Sequence, residues 1–168
     1  MMETHNFTVV LEKPRAISAE LEEAVFGVGC DDAALCERDG VVYLDFDREA
    51  ATLDSAITSA LSDLFSVDGV RVSHVGPEDL VTPAEVARRA GVSREAVRLW
   101  VSGSRGPGGF PVPIAGVDKQ TRVWRWASVA DWLIQNSLGA LDVGALDASQ
   151  TIARMNARLI LGEFLRAE

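Results

Sequence analysis

The sequence predicts an α+β protein with a mixed strand-and-helix N-terminal part and a mainly helical remainder. Three observations point there. Apolar side chains alternate with a period of two at Phe7–Leu11, Val42–Phe46 and Val70–His74, the spacing of half-buried strands. Leu53, Ile57, Leu61 and Leu64 recur every three or four positions, the stripe of a helix packed on one side. Gly76-Pro77 then separates an acidic stretch from a basic one.

In the first stretch, Phe7, Val9 and Leu11 form one face of a strand that Pro14 ends. Ser18 is placed to cap a helix whose Ile17, Leu21 and Val25 fall four apart, and Gly27 and Gly29 stop it. Ala33–Glu37 and Val41–Phe46 flank Arg38-Asp39-Gly40, and Asp-Gly between apolar runs signals a hairpin. A helix is expected over Glu49–Phe65 and a last strand over Val70–His74. The order strand, helix, strand, strand, helix, strand is that of a ferredoxin-like βαββαβ domain, here residues 1–76: a four-stranded antiparallel sheet with two helices on one face.

A second domain is expected over 77–138. Thr82, Pro83 and Glu85 read as a capping box with proline in the first turn, opening a short helix with Val86, Ala87 and Ala90 inward. Gly91 ends it. Ser93 starts another helix, with Val97, Trp100 and Val101 inward, which Gly103 and Gly106 terminate. The Gly/Pro-rich run 102–113 is not helical. Arg122–Trp126 alternates and is expected to pair with Phe110–Ile114, Pro111 and Pro113 taking edge positions. Ser128–Leu138 reads as a third helix. Residues 139–168 comprise a turn-rich linker, with Gly-Ala-Leu-Asp at 139–142 and 144–147, and a helix over Asp147–Leu165 that aligns Ile152, Met155, Leu159 and Phe164.

Charge narrows the classes. The chain carries a net −9, but residues 1–76 hold 5 basic and 15 acidic side chains, whereas 77–136 hold 8 and 6, all eight bases lying between Arg88 and Arg125. Fields are local, since a charge beyond ~10 Å is screened at ordinary salt, so a polyanion can still dock on the middle segment. The longest apolar runs, Ala24–Gly29 and Val41–Leu44, fall far short of the ~18 residues of a membrane span. Met1–His5 lacks the basic-then-apolar pattern of a secretory leader. Two cysteines, Cys30 and Cys36, suit a reducing cytoplasm and build neither a disulfide scaffold nor a four-cysteine zinc site. His5 and His74 lack motif partners, and no nucleophile–base pair is visible. Asp45 and Asp47, with Asp31 and Asp32, imitate a carboxylate metal site but read better as a solvated acidic edge, so neither catalysis nor a cofactor is expected.

Ala87, Gly91, Val97 and Trp100 stand in the relation two helices crossing through a three- or four-residue turn require: a small residue for close approach, a glycine in the turn, and two plugs in the angle. Arg94, Glu95 and Arg98 are left outward, the two arginines one turn apart. That arrangement offers guanidinium forks to phosphates or guanine edges in a major groove. The stretch 80–133 resembles the winged helix-turn-helix of MerR-type regulators and of the smaller excisionase or AlpA-like proteins. The resemblance rests on Thr82-Pro83-Ala84-Glu85-Val86-Ala87, Gly91-Val92-Ser93, Val97-Arg98-Leu99-Trp100, and Trp126 through Val129 to Trp132-Leu133. The whole layout is also similar to helix-turn-helix proteins common in actinobacteria. The resemblance implies helix contacts to double-stranded DNA from Ser93, Arg94 and Arg98, and wing contacts from Lys119, Gln120, Thr121 and Arg122. The insert 103–113 is longer than that family's usual link to the wing.

Arg105 in the glycine-rich run is a further phosphate candidate, and Arg88 and Arg89 fit either a solvated face or backbone contacts. The four tryptophans fit a small core better than a base-stacking platform. The expected function is that of a DNA-binding regulator or excisionase-like accessory factor, dimeric through the C-terminal helix. A protein-interaction adaptor working through the acidic N-terminal domain is the alternative, antitoxin-like or a phage-derived assembly component. A hydrolase built on the aspartates would require divalent metal.

Overall fold

The computed structural model describes residues 1–77, 79–141 and 143–165. The protein is α+β and separates into two units: Met1–Pro77 with Arg154–Glu168, and Glu78–Ala153.

The first unit begins β1 (Glu3–Lys13), α1 (Ala19–Gly27), β2 (Ala33–Arg38), β3 (Val41–Ala50), α2 (Leu53–Phe65), β4 (Arg71–Gly76). The four strands form one antiparallel sheet in the order β2-β3-β1-β4. Register sets Phe7 opposite Phe46, and Val9 opposite both Leu44 and Val75. These residues are buried together with Leu21 and Val25 of α1 and Ile57, Leu61 and Leu64 of α2. Each such side chain removed from water contributes ~1.5–3 kcal/mol before chain entropy is counted. Asp39 and Gly40 both take positive φ (52° and 73°), as the Asp-Gly signal anticipates for a tight hairpin.

The helix expected from Glu49 begins later. Glu49 and Ala50 continue β3, and Thr52 caps α2 through a reciprocal box with Ser55. The strand is extended by Arg48, which occupies a core-facing position. Its Nε donates to Asp32 at 2.8 Å, Nη1 to Asp63 at 2.9 Å and Ser59 at 3.1 Å, and Nη2 to the Gly29 carbonyl at 2.8 Å. Burial opposes its charge, but the bonds to Asp32 and Asp63 outweigh that and raise its pKa. Cys30 is buried beside this cluster, and burial pushes its thiol up to about 11. On the exposed rows of the sheet, Asp45 accepts from Thr8 Oγ1 at 2.7 Å and Asp47 from Asn6 Nδ2.

The last helix, α6 (Val143–Ile160), starts earlier and stops sooner than its apolar spacing suggests, so residues 143–147 are helical. Of the aspartates in the two Gly-Ala-Leu-Asp copies, Asp142 lies outside the described residues. A 3-10 turn, Glu163–Leu165, follows. Ile152 and Met155 are buried, whereas Ile160 and Leu161 are exposed. A dimer contact through this helix therefore cannot use the whole expected stripe. In the first unit, the Asn156 amide bridges the edge of the sheet: Oδ1 accepts from Val75 N–H at 2.7 Å and Nδ2 donates to Val75 O at 2.9 Å.

The second unit contains β5 (Leu80–Val81), α3 (Pro83–Ala90), α4 (Arg94–Ser102), β6 (Trp124–Arg125) and α5 (Trp126–Gln135). Its core gathers Val86, Ala87, Val97, Trp124, Val129 and Leu133. The strand at 122–126 finds a different ladder partner from the one expected: β6 pairs with β5, and the 110–115 side meets it through an isolated bridge between Ala115 and Val123 and the bond from Trp124 Nε1–H to Pro111 O. The third helix begins at Trp126, two residues before Ser128, and ends at Gln135. Asp79 allows that start, its carbonyl accepting from Trp126 N–H and its Oδ1 from Ala127 N–H at 3.3 Å. Among the described residues, no helix is long and apolar enough to cross a membrane.

Candidate nucleic-acid interface

Two short helices and a loop build the site. Thr82 caps α3 by accepting from Glu85 N–H at 3.4 Å, with Pro83 in the first turn. The return half of the expected capping box is replaced, because the Glu85 carboxylate turns to Arg88 (2.5 Å) and Arg89 (2.8 Å). Those bonds, Arg88 first, hold its carboxyl down at about 2. Arg89 also lies 5.4 Å from the Trp126 ring and is nearly buried. Gly91 ends α3 at φ 67°, ψ 34°, a left-handed position that costs a residue with a Cβ more than glycine. Val92 N–H then bonds Ala87 O at 3.0 Å, closing the turn into α4.

On α4, Val97 is fully buried, while Trp100 and Val101 are half-buried; Trp100 packs on Trp132 at 5.5 Å. Ser93 is the N-cap, accepting from Ala96 N–H at 3.1 Å. Arg94 is exposed. Arg98 is exposed too, but its fork grips Glu95, Nε at 2.8 Å and Nη2 at 2.6 Å. These bonds lower the Glu95 pKa and raise that of Arg98. Arg105 is exposed beyond the end of the helix, and its N–H donates to Leu99 O at 3.3 Å. Lys119, Gln120 and Thr121 are exposed on the following turn, and Arg122 is half-buried.

Three of these residues meet. Arg98, Gln120 and Arg122 line a cleft of about 260 Å³ with Pro83, Val101, Ser102 and Trp124. Ser93, Arg94, Arg105, Lys119 and Thr121 are outside it. Of the eight bases between Arg88 and Arg125, Arg88, Arg89, Arg98 and Arg125 carry ion pairs to Glu85, Glu95 and Asp79. Arg94, Arg105, Lys119 and Arg122 have none among the described residues.

Two participants escaped the sequence. Ser102 lines the cleft and donates to Leu99 O at 3.2 Å; the serine before a glycine reads as a helix end. Glu95 sets the geometry of Arg98, a role its i,i+3 spacing signals in retrospect. Among the described residues, no group of three or more His, Cys, Asp or Glu is placed to hold a metal ion.

Chemically, the arrangement offers exposed guanidiniums and an amine on a helix, a loop and a turn. Such groups hydrogen-bond phosphate or base edges. Compared with known proteins, the chain matches no family model, and no curated protein or solved structure matches it significantly.

Proposed function

We propose that residues 78–153 form a winged helix-turn-helix that binds double-stranded DNA, with α4 in the major groove and the turn 116–122 as the wing. The ferredoxin-like reading of the first unit, supported by its strand order β2-β3-β1-β4, belongs to the same proposal. The observation that carries it is that four of the eight bases between Arg88 and Arg125, namely Arg94, Arg105, Lys119 and Arg122, have no ion pair among the described residues, all four being contacts expected from the sequence.

The Arg98–Glu95 pair does not stand against this. Both side chains are more than 60% exposed, at 63% and 62%. An exposed i,i+3 pair is screened by water and contributes less than a charge-assisted hydrogen bond to a phosphate. A phosphate or guanine edge therefore competes successfully for Arg98.

The test is a fluorescence-anisotropy titration of labelled duplex at several salt concentrations. Arg94→Ala with Arg98→Ala should weaken binding at least ~10-fold and reduce the salt slope by up to ~2, since each phosphate contact contributes about 0.9. Unchanged affinity and slope in the double variant refute the reading. One observation favours a second use: Asp45, Asp47 and Glu49 are exposed along one side of β3, a row suited to a basic protein partner. Capture of a basic partner by the full chain, lost on charge reversal of that row, would support an adaptor role.

A further inference from the structure

The insert between α4 and the wing is glycine-rich, and Gly103, Gly106, Gly108 and Gly109 all take positive φ, between 66° and 94°. Such a segment loses more freedom on ordering than any other composition. It is nonetheless pinned at successive points. Trp132 Nε1–H donates to Gly108 O at 2.9 Å, and Trp124 Nε1–H to Pro111 O at 2.8 Å. Phe110 stands edge-on to both rings, at centroid distances of 5.7 and 5.0 Å. Gly106 lies so close on Trp100 that a Cβ there would sit 2.7 Å from Cδ1.

Within the run, Ser102 and Ser104 bond to each other and Ser102 to Leu99 O, but among the described residues the Arg105 side chain has no such use. Residues 102–109 are all exposed, Arg105 among them without an ion pair among the described residues. The insert also follows the C-terminus of α4, the partially negative end of the helix dipole, where Leu99 O accepts from Arg105 N–H and Trp100 O from Gly103 N–H. Arg105 sits where a positive charge offsets that. We infer that the insert is a second DNA-contacting element, in which Trp100, Trp124 and Trp132 act as positioning residues that preset Arg105 against a backbone phosphate of the duplex read by α4. This rests on the duplex-binding proposal above. It adds that the aromatic cluster, beyond filling the core, fixes an arm in its binding conformation and so removes the entropy cost of ordering it on association.

The experiment compares Arg105→Ala, Gly106→Ala, Trp132→Phe and the Trp132→Phe/Arg105→Ala double variant in the same titration, with thermal unfolding as a control. Arg105→Ala should weaken binding about tenfold and flatten the salt slope by about 0.9. Trp132→Phe and Gly106→Ala should show the same two changes while still unfolding cooperatively. Trp132→Phe should add nothing in the Arg105→Ala background, because both act through one contact. If Trp132→Phe fails to fold, Gly106→Ala, on an exposed loop, carries the test alone. An Arg105→Ala variant with wild-type affinity and slope overturns the inference. So do loop variants that lose thermal stability yet bind normally, and so does strict additivity. Loss of binding in Arg94→Ala/Arg98→Ala with none in Arg105→Ala sinks only the arm; no loss in either sinks the duplex reading itself.

Discussion

Asn156→Ala removes one side chain from a half-buried helix face and leaves two backbone groups of β4 without partners. β4 is an edge strand, and the Val75 N–H and C=O engaged by Asn156 point away from β1. Val75 itself is fully buried. An unsatisfied buried donor or acceptor costs ~1–3 kcal/mol. Some water reaches the position of Asn156, which is only half-buried, so the lower end applies to each group and the total is about 2 kcal/mol. For a chain of this size that lowers Tm by about 4–8 °C. In urea the midpoint should fall on the order of 1 M with the slope unchanged. Hydrogen exchange gives the local reading: the Val75 amide should exchange about thirtyfold faster, while amides in the middle of β1 change less. Asn156→Asp should be as harmful at neutral pH, because a carboxylate facing the Val75 carbonyl has no proton to donate. A midpoint shift equivalent to less than about 0.5 kcal/mol, with Val75 exchange unaltered, would show that the amide bridge does not hold the edge.

Two further outcomes are specific. Arg48→Met should destabilise the chain by about 2–4 kcal/mol in urea titration, because Asp32 and Asp63 lose their common partner; a neutral result would mean that apolar packing replaces the network. Glu85 has a folded pKa of about 2, below its ordinary 4.5, so its contribution is complete above pH ~4.5 and disappears as pH falls towards 2. The stability gap between wild type and Glu85→Gln should accordingly close over that window. Its size is about 1 kcal/mol, since both pairs are screened by water, and a pH-independent gap would count against the assignment.

The first unit was readable because its core alternates by two along β1 and β3 and by three to four along α2. The exception shows the limit: Arg48 breaks the apolar alternation although it occupies an inward position, and the next charge, Glu49, then looks like the first turn of a helix. The Thr52–Ser55 box marks the true start, but Ser at the third position is a weaker signal than Glu or Gln. In the second unit the two helices and their turn followed from Ala87, Gly91 and Val97. The β5–β6 ladder did not, because two residues a side carry no period. Arg94, Arg105, Lys119 and Arg122, without ion pairs among the described residues, could be nominated from sequence, but the engagement of Arg88, Arg89 and Arg125 depends on where Glu85 and Asp79 fall. The hold of Trp124 and Trp132 on Pro111 and Gly108 spans 13 and 24 residues of chain and has no local signature.

All four indole rings fall between residues 100 and 132, and the sole phenol, Tyr43, is in β3. The chain thus carries a built-in optical label. Emission excited selectively from indole reports on one unit alone, three of its four rings being buried and shielded from water until that unit opens. Melting of the β2-β3-β1-β4 sheet leaves no direct indole signal of its own, so a difference between the fluorescence and circular-dichroism transitions would measure how independently the two halves come apart.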